Sequence, residues 1–251
     1  MKVGISPNKW IGHFKHLLNN PNDSSLLPEN TKCNGPLDHD ITEEEIKLGA
    51  YILRAGKSPG HDRISNEMIS CLLEEKPELI KKLFNDILQN PTVIDRWRTS
   101  MITPIHKKGL KTNEDNYRGI SLMSCFGKFF ISILNQRLLK FIMERKIISR
   151  TQLGFLPGNR TSDALLILHN LIDHYCIKQK RRLYGCFVDF SKAFDSIPRK
   201  ILFEKLLKHD ISGKFYDCIV NIYTNDRACI KLDKHVSNFF DVNQGVKQGW
   251  I

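Results

Sequence analysis

Gly185-Cys-Phe-Val-Asp-Phe-Ser-Lys-Ala-Phe-Asp195 is the stretch on which the fold turns. Leu183 to Val188 is apolar, with an aromatic and a β-branched residue, which predicts a short buried strand. Asp189 follows at once, so its carboxylate falls where the strand meets the next turn. A charge there is costly to bury unless a cation answers it. Phe194 and Asp195 lie one turn further on. A carboxylate at a strand end with an aromatic beyond it suits a site that holds a metal-bound triphosphate beside a sugar. A simpler reading stands next to this one. Asp189 or Ser191 can cap a helical turn, and Asp195 or Ser196 can cap the next helix, with Pro198 in its first turn. Capping is the better reading for Asp195, and the rest of the chain decides the case for Asp189.

At 251 residues the chain holds one large domain or two small ones and buries a real core. Hydrophobic residues are 41% and charged residues 26%, which excludes a mainly disordered chain. No apolar run approaches a membrane span, and Trp10, His13, Lys15 and His16 break any signal-peptide core. Seven scattered cysteines, with no C-x-x-C pair, argue against a disulfide framework or a zinc site. They suit a reducing intracellular setting, nucleus or cytoplasm. The net charge of +11 is uneven: −3 over residues 1–95, +10 over 96–160 and +4 over 161–251. An excess this local exceeds what solubility needs and points to a polyanion such as nucleic acid.

Working outward, Trp10, Phe14, Leu17 and Leu18 fall at helical spacing, before a loose connector from Asn19 to Pro36. Thr42 with Glu45 opens a helix to about Ala55. The Gly56–Asp62 loop ends it and lacks the order of a P-loop. Helices follow over Ser65–Glu74 and Pro77–Gln89, the second with Leu79, Leu83, Ile87 and Leu88 as its core stripe. Met101–His106 and Tyr117–Leu122 read as strands, and Pro104 suggests that the first is an edge. Lysines and an arginine flank that hairpin, within reach of phosphates. Further helices are expected over Phe126–Arg145, from Thr161 or Ser162 to about Gln179, over Arg199–His209 and over Gly213–Thr224. Strand-like runs close the chain at Arg227–Leu232 and Phe239–Val242.

Taken in order, these segments resemble the reverse transcriptase of a non-LTR (LINE-type) retrotransposon. Trp10…His13-Phe14…Leu17-Leu18 is similar to that family's link between endonuclease and polymerase. Gly56-Lys-Ser-Pro-Gly-His-Asp62 resembles its G-K-x-P-G-x-D loop. Asn116-Tyr-Arg-Gly-Ile-Ser-Leu-Met-Ser124 resembles N-Y-R-P-I-S-L-L-S, with Gly119 in place of proline. Gln152-Leu-Gly-Phe through Thr161-Ser-Asp-Ala164 resembles Q-x-G-F-R…S-T-x-D-A, with Leu156 in place of arginine. Phe187 to Asp195 resembles polymerase motif A, and Gly245-Val-Lys-Gln-Gly249 resembles motif B.

The resemblance implies an α+β right-hand polymerase fold. Residues 1–40 would be the linker, 41–182 the basic fingers and fingers–palm region, and 183–251 a partial palm with an incomplete antiparallel sheet and no thumb. It implies Asp189 as catalytic ligand of two Mg2+ ions, with the Phe190 carbonyl as a further oxygen. Lys107 and Arg118 would neutralise the incoming triphosphate. Phe194 would pack under the sugar and reject a 2′-hydroxyl, and Gln248 and Gly249 would lie against nucleotide and template. Lys108, Lys111 and Arg160 would track phosphates of template RNA and DNA primer by charge rather than base identity. The family's aromatic-x-Asp-Asp motif does not occur in these 251 residues. The expectation is therefore a fragment with little or no activity of its own; the alternative is a remnant that only binds RNA or RNA–DNA duplex through its basic patch.

Overall fold

Ser6 starts the first helix by accepting a hydrogen bond from the Lys9 amide, with Pro7 at the position where a missing N–H costs nothing. This helix, α1 (Pro7–Leu17), buries Trp10 and Phe14, which are one turn apart. The computed structural model describes residues 4–20, 27–91, 97–232 and 235–247. The expected contacts of Gln248 and Gly249 lie outside the described residues. The chain divides into two compact units, one of Met1–Leu138 with Lys192–Ile251 and the other of Leu139–Ser191.

The first unit is built on a sheet of five strands: β1 (Thr99–His106), β2 (Tyr117–Leu122), β3 (Arg227–Leu232), β4 (His235–Val236) and β5 (Phe240–Asp241). β1 pairs antiparallel with β2 from Met101–Leu122 to His106–Tyr117, and parallel with β3 from Thr99–Arg227 to Ile102–Ile230. β4 and β5 both add antiparallel to β3. The sheet is therefore mixed, where an antiparallel one was expected. β1 is not an edge strand as Pro104 suggested, since β3 pairs along Thr99–Ile102 and β2 along Met101–His106. Pro104 itself lies past the last β3 pair, where a missing N–H breaks no ladder bond. α1 covers the sheet, and Trp10 and Phe14 join Ile102, Ala228, Ile230, Phe240 and Val242 in one core. Gly119 makes this fit possible: a Cβ there would come within 2.5 Å of the Phe14 ring.

The helices of this unit begin where their caps predict. Thr42 and Glu45 form a reciprocal capping box at α2 (Glu43–Gly49), and Ser65 caps α3 (Asn66–Glu75). α4 (Pro77–Gln89) buries Ile80, Phe84, Ile87 and Leu88, whereas Leu79 and Leu83 are exposed. Ile87 and Leu88 are buried as expected, but the first half of the stripe lies one position later than expected, on Ile80 and Phe84, because Phe84 is the residue that fills the space. Its ring meets those of Phe126, Phe129 and Phe130 edge-on at 5.2–5.5 Å. Those three belong to α5 (Cys125–Glu144). None of the helices among the described residues is long and apolar enough to cross a membrane. All seven cysteines are unpaired thiols.

The second unit holds the end of α5 and α6 (Thr161–Ile172), which continues through a wider π turn over Asp173–Lys178. The Asp163 carboxylate accepts from the Arg160 amide at 2.7 Å, and the cap position of α6 is Arg160 rather than the expected Thr161 or Ser162. Leu183–Val188 is not the strand its composition predicts: residues 180–190 have no regular structure, and Phe187 is 86% exposed. β-branched and aromatic residues favour a pleated, half-buried surface, but a strand exists only where a neighbour accepts its ladder bonds. No described strand pairs with this segment. α6 likewise buries none of its residues.

Candidate functional site

The β1–β2 hairpin carries the cationic residues. The Lys107 amide donates to the Asn116 carbonyl at 2.8 Å and closes the ladder next to the His106–Tyr117 pair. The loop beyond is held by its own groups: Asn116 Nδ2 donates to the Leu110 carbonyl at 3.0 Å and the Tyr117 hydroxyl to the Lys111 carbonyl at 2.9 Å. Gly109 takes the left-handed φ of 82° that the turn requires. An ordered loop thus presents exposed Lys107, Lys108 and Lys111, and Arg118 stands opposite Ile105 on β2.

A second segment meets the hairpin. The Asp195 and Ser196 amides both donate to the Lys192 carbonyl, winding residues 192–196 into one tight turn. Lys192 Nζ reaches Asp115 Oδ1 at 2.9 Å and ties this turn to the hairpin loop. Asp195 does not cap the following helix, α7 (Arg199–Lys208): the cap position is Pro198, which has no side-chain acceptor. Its half-buried carboxyl is pushed up by burial, and Lys192, Arg118 and Lys107 pull it back down. One carboxylate therefore senses three cations, two of them the expected triphosphate ligands.

The third segment is the turn at Gly245. Its amide donates to the Ile197 carbonyl at 2.9 Å, and the Val246 amide donates to the Phe194 carbonyl at 2.8 Å. Gly245 has φ +77°, and a Cβ there would be 2.7 Å from the Asp195 carbonyl oxygen. Residues that resemble motif A and motif B are thus in backbone contact. Lys107, Arg118 and Phe194 come together in the first unit, joined by Lys192, Asp195 and Gly245, which the sequence does not place in the site. Gly245 is marked only by the G-V-K-Q-G pattern, and Lys192 and Asp195 only by lying in the Phe187–Asp195 stretch. Asp189, Phe190 and Arg160 belong to the second unit, where Asp189 is exposed and Phe190 is 77% exposed.

A magnesium ion prefers six oxygens in a tight shell, usually with more than one carboxylate when two ions share a site. Among the described residues no three His, Cys, Asp or Glu side chains gather in that way. Asp189 and the Phe190 carbonyl alone do not make such a site.

His13 on α1 borders the hairpin, its ring edge-on to Phe14 at 5.1 Å. Burial depresses its pKa below the ordinary 6.5, and Lys192 and His16 add to this while Asp115 and Glu114 oppose it. The unfolded chain therefore takes up this proton first. The His13 contribution to stability is complete above pH 6.5 and is lost as pH falls through that value towards the lower folded pKa. Urea melts from pH 7 to 5 should show His13→Gln losing less stability than wild type over that range; parallel curves would refute the assignment.

The profile of the family described as reverse transcriptase (RNA-dependent DNA polymerase) matches residues 105–251, and the chain belongs to that family. It is 28% identical to the RNA-directed DNA polymerase of mobile element jockey from Drosophila melanogaster, over 84% of this chain and 23% of that protein. The jockey polymerase of Drosophila funebris is 26% identical over 100% of this chain and 28% of its own length. The Pol polyprotein of the R2DM element of Drosophila melanogaster is 25% identical over 95% and 22%. These relatives are non-LTR retrotransposon polymerases, and the chain spans about a quarter of their length.

Proposed function

We propose that this chain contributes the nucleotide-facing part of an RNA-directed DNA polymerase of right-hand architecture, working inside the cell on template RNA and DNA primer. Residues 41–182 would form the fingers and their junction with the palm, 183–251 the front of the palm, and 1–40 the linker. Lys107 and Arg118 would hold the triphosphate of the incoming deoxynucleotide, Arg118 by a bidentate grip and Lys107 as a point charge. Phe194 would pack under the sugar and exclude a 2′-hydroxyl. Asp189 and the Phe190 carbonyl would supply two oxygens to the divalent ions that the family generally uses, and further ligands would have to complete that site. Lys108, Lys111 and Arg160 would follow nucleic-acid phosphates. No chemical step is assigned to the described residues: their part is binding and orientation.

The observation that supports this reading is the tie between the hairpin and the Phe194 segment: Lys192 Nζ bonds Asp115 of the hairpin loop at 2.9 Å, and Lys192, Arg118 and Lys107 all favour the charged form of the half-buried Asp195. The test is calorimetric titration of dATP into wild type and into Lys107→Ala/Arg118→Ala. Loss of two charge-assisted contacts should weaken binding roughly 10- to 100-fold. Equal affinity in the two proteins would sink the proposal. A separate prediction concerns the basic segment: affinity for an RNA–DNA duplex should fall steeply with added salt, since released counterions drive such contacts. A flat salt dependence would exclude phosphate tracking.

A further inference from the structure

Three charged side chains are buried behind the Gly245 turn: Arg199 on α7, Asp226 just before β3, and Lys247 just after the turn. Their side-chain exposures are 4%, 0% and 5%. Asp226 is gripped from both sides, by Arg199 Nη2 at 2.8 Å and by Lys247 Nζ at 2.6 Å. Arg199 uses its other donors on backbone carbonyls. Nε bonds Gly245 at 2.9 Å, and Nη1 bonds Val242 at 2.9 Å and Tyr223 at 3.0 Å. Its guanidinium also lies 4.8 Å from the Tyr223 ring centroid. Lys247 Nζ donates to the Arg98 carbonyl at 2.8 Å. The Asp226 carbonyl accepts from the Val242 amide at 2.9 Å.

Burying two cations with one carboxylate gains little stability over well-packed apolar residues, because desolvation cancels most of the attraction. What the arrangement does supply is a fixed geometry. Its bonds end on the carbonyl of Val242 before the turn and on that of Gly245 within it, Lys247 anchors the chain just after it, and the turn's own amides reach Phe194 and Ile197. The turn is therefore held from behind by the charges and in front by the segment that carries Phe194.

We propose that the Arg199–Asp226–Lys247 clasp is a positioning device for the sugar end of the nucleotide. It fixes the Gly245 turn against Phe194 and so sets how tightly a sugar packs on that ring. This rests on the reading of Phe194 as the residue under the sugar. None of the three touches the nucleotide; they act through the turn.

The test compares the full chain with Asp226→Asn and with Lys247→Met, which removes one cation and leaves a balanced pair. Phe84→Leu, chosen to match the fall in melting temperature, controls for general destabilisation. Hydrogen exchange at the Gly245 and Val246 amides reports the turn, and titration with dATP and ATP reports sugar discrimination. Both clasp variants should speed exchange at those two amides and bring the dATP-to-ATP affinity ratio down by roughly tenfold, as small misplacements at a packed site do. Phe84→Leu should leave the ratio unchanged. Unchanged exchange in both variants would overturn the clasp. Faster exchange with an unchanged ratio would overturn the positioning role while leaving triphosphate binding intact. Wild type that binds neither nucleotide would instead overturn the nucleotide reading, and the positioning role with it.

Discussion

Arg137→Met is expected to lower the unfolding free energy by about 3–5 kcal/mol, because it strands a carboxylate that is largely out of solvent. The Arg137 side chain is 3% exposed. Its Nε and Nη2 hold both oxygens of Glu45, at 2.5 and 2.7 Å. The remaining donors satisfy three carbonyls, of Leu37 at 3.1 Å, His39 at 2.6 Å and Asp40 at 2.9 Å. One side chain thus fastens α5 to the approach and first turn of α2. Methionine fills much of the volume and satisfies none of these oxygens. Acid should expose the mechanism. Burial pushes the Glu45 carboxyl up, but the hydrogen bonds from Arg137 and Thr42 outweigh it and hold the pKa below 4.5. The stability linked to this group is present above 4.5 and is lost as pH falls through the folded value. Urea melts at pH 7 and pH 3 should therefore show the gap between wild type and variant narrowing in acid. A gap of the same size at both would mean that the loss comes from packing alone.

Gly245→Ala should cost about 2–4 kcal/mol, by adding a left-handed backbone penalty to a backbone collision. The φ of +77° alone disfavours alanine, and the new Cβ would sit 2.7 Å from the Asp195 carbonyl oxygen, which cannot move aside as a flexible side chain would. Gly56 provides the comparison. It has φ +72° with nothing within 4 Å of where an added methyl would sit, so Gly56→Ala should cost only the conformational part, about 1 kcal/mol. Thermal melts of both variants separate the two terms. Equal losses would show that the turn does not press against the Asp195 segment. Gly245→Ala should also weaken dATP binding, which Gly56→Ala should leave unchanged.

The same contrast between local and distant causes explains what was legible. Thr42 and Ser65 announced their helices because a cap works within four residues of itself. The hairpin was legible because alternating strands and a polar turn are adjacent in sequence, and with it Lys107 and Arg118. The Gly-x-x-x-Gly end of the chain and the Phe187–Asp195 stretch carried the family. By itself, then, the sequence determined the helices, the hairpin, its cations and the kinship.

Tertiary structure alone decided the rest. Leu183–Val188 has the composition of a strand, but ladder bonds come from another segment, and composition cannot state whether one is there. The first half of the α4 stripe, Leu79 and Leu83, was misphased because Phe84 packs against rings more than forty residues ahead in the chain. Asp195 looked like a cap and is instead half-buried beside cations from the end of β1, from β2 and from its own turn, which oppose the effect of its burial. Arg199, Asp226 and Lys247 carry no shared pattern, and only the folded chain brings them within hydrogen-bonding reach. Short-range chemistry is written in neighbouring residues; a buried charge takes its role from whatever the fold places opposite it.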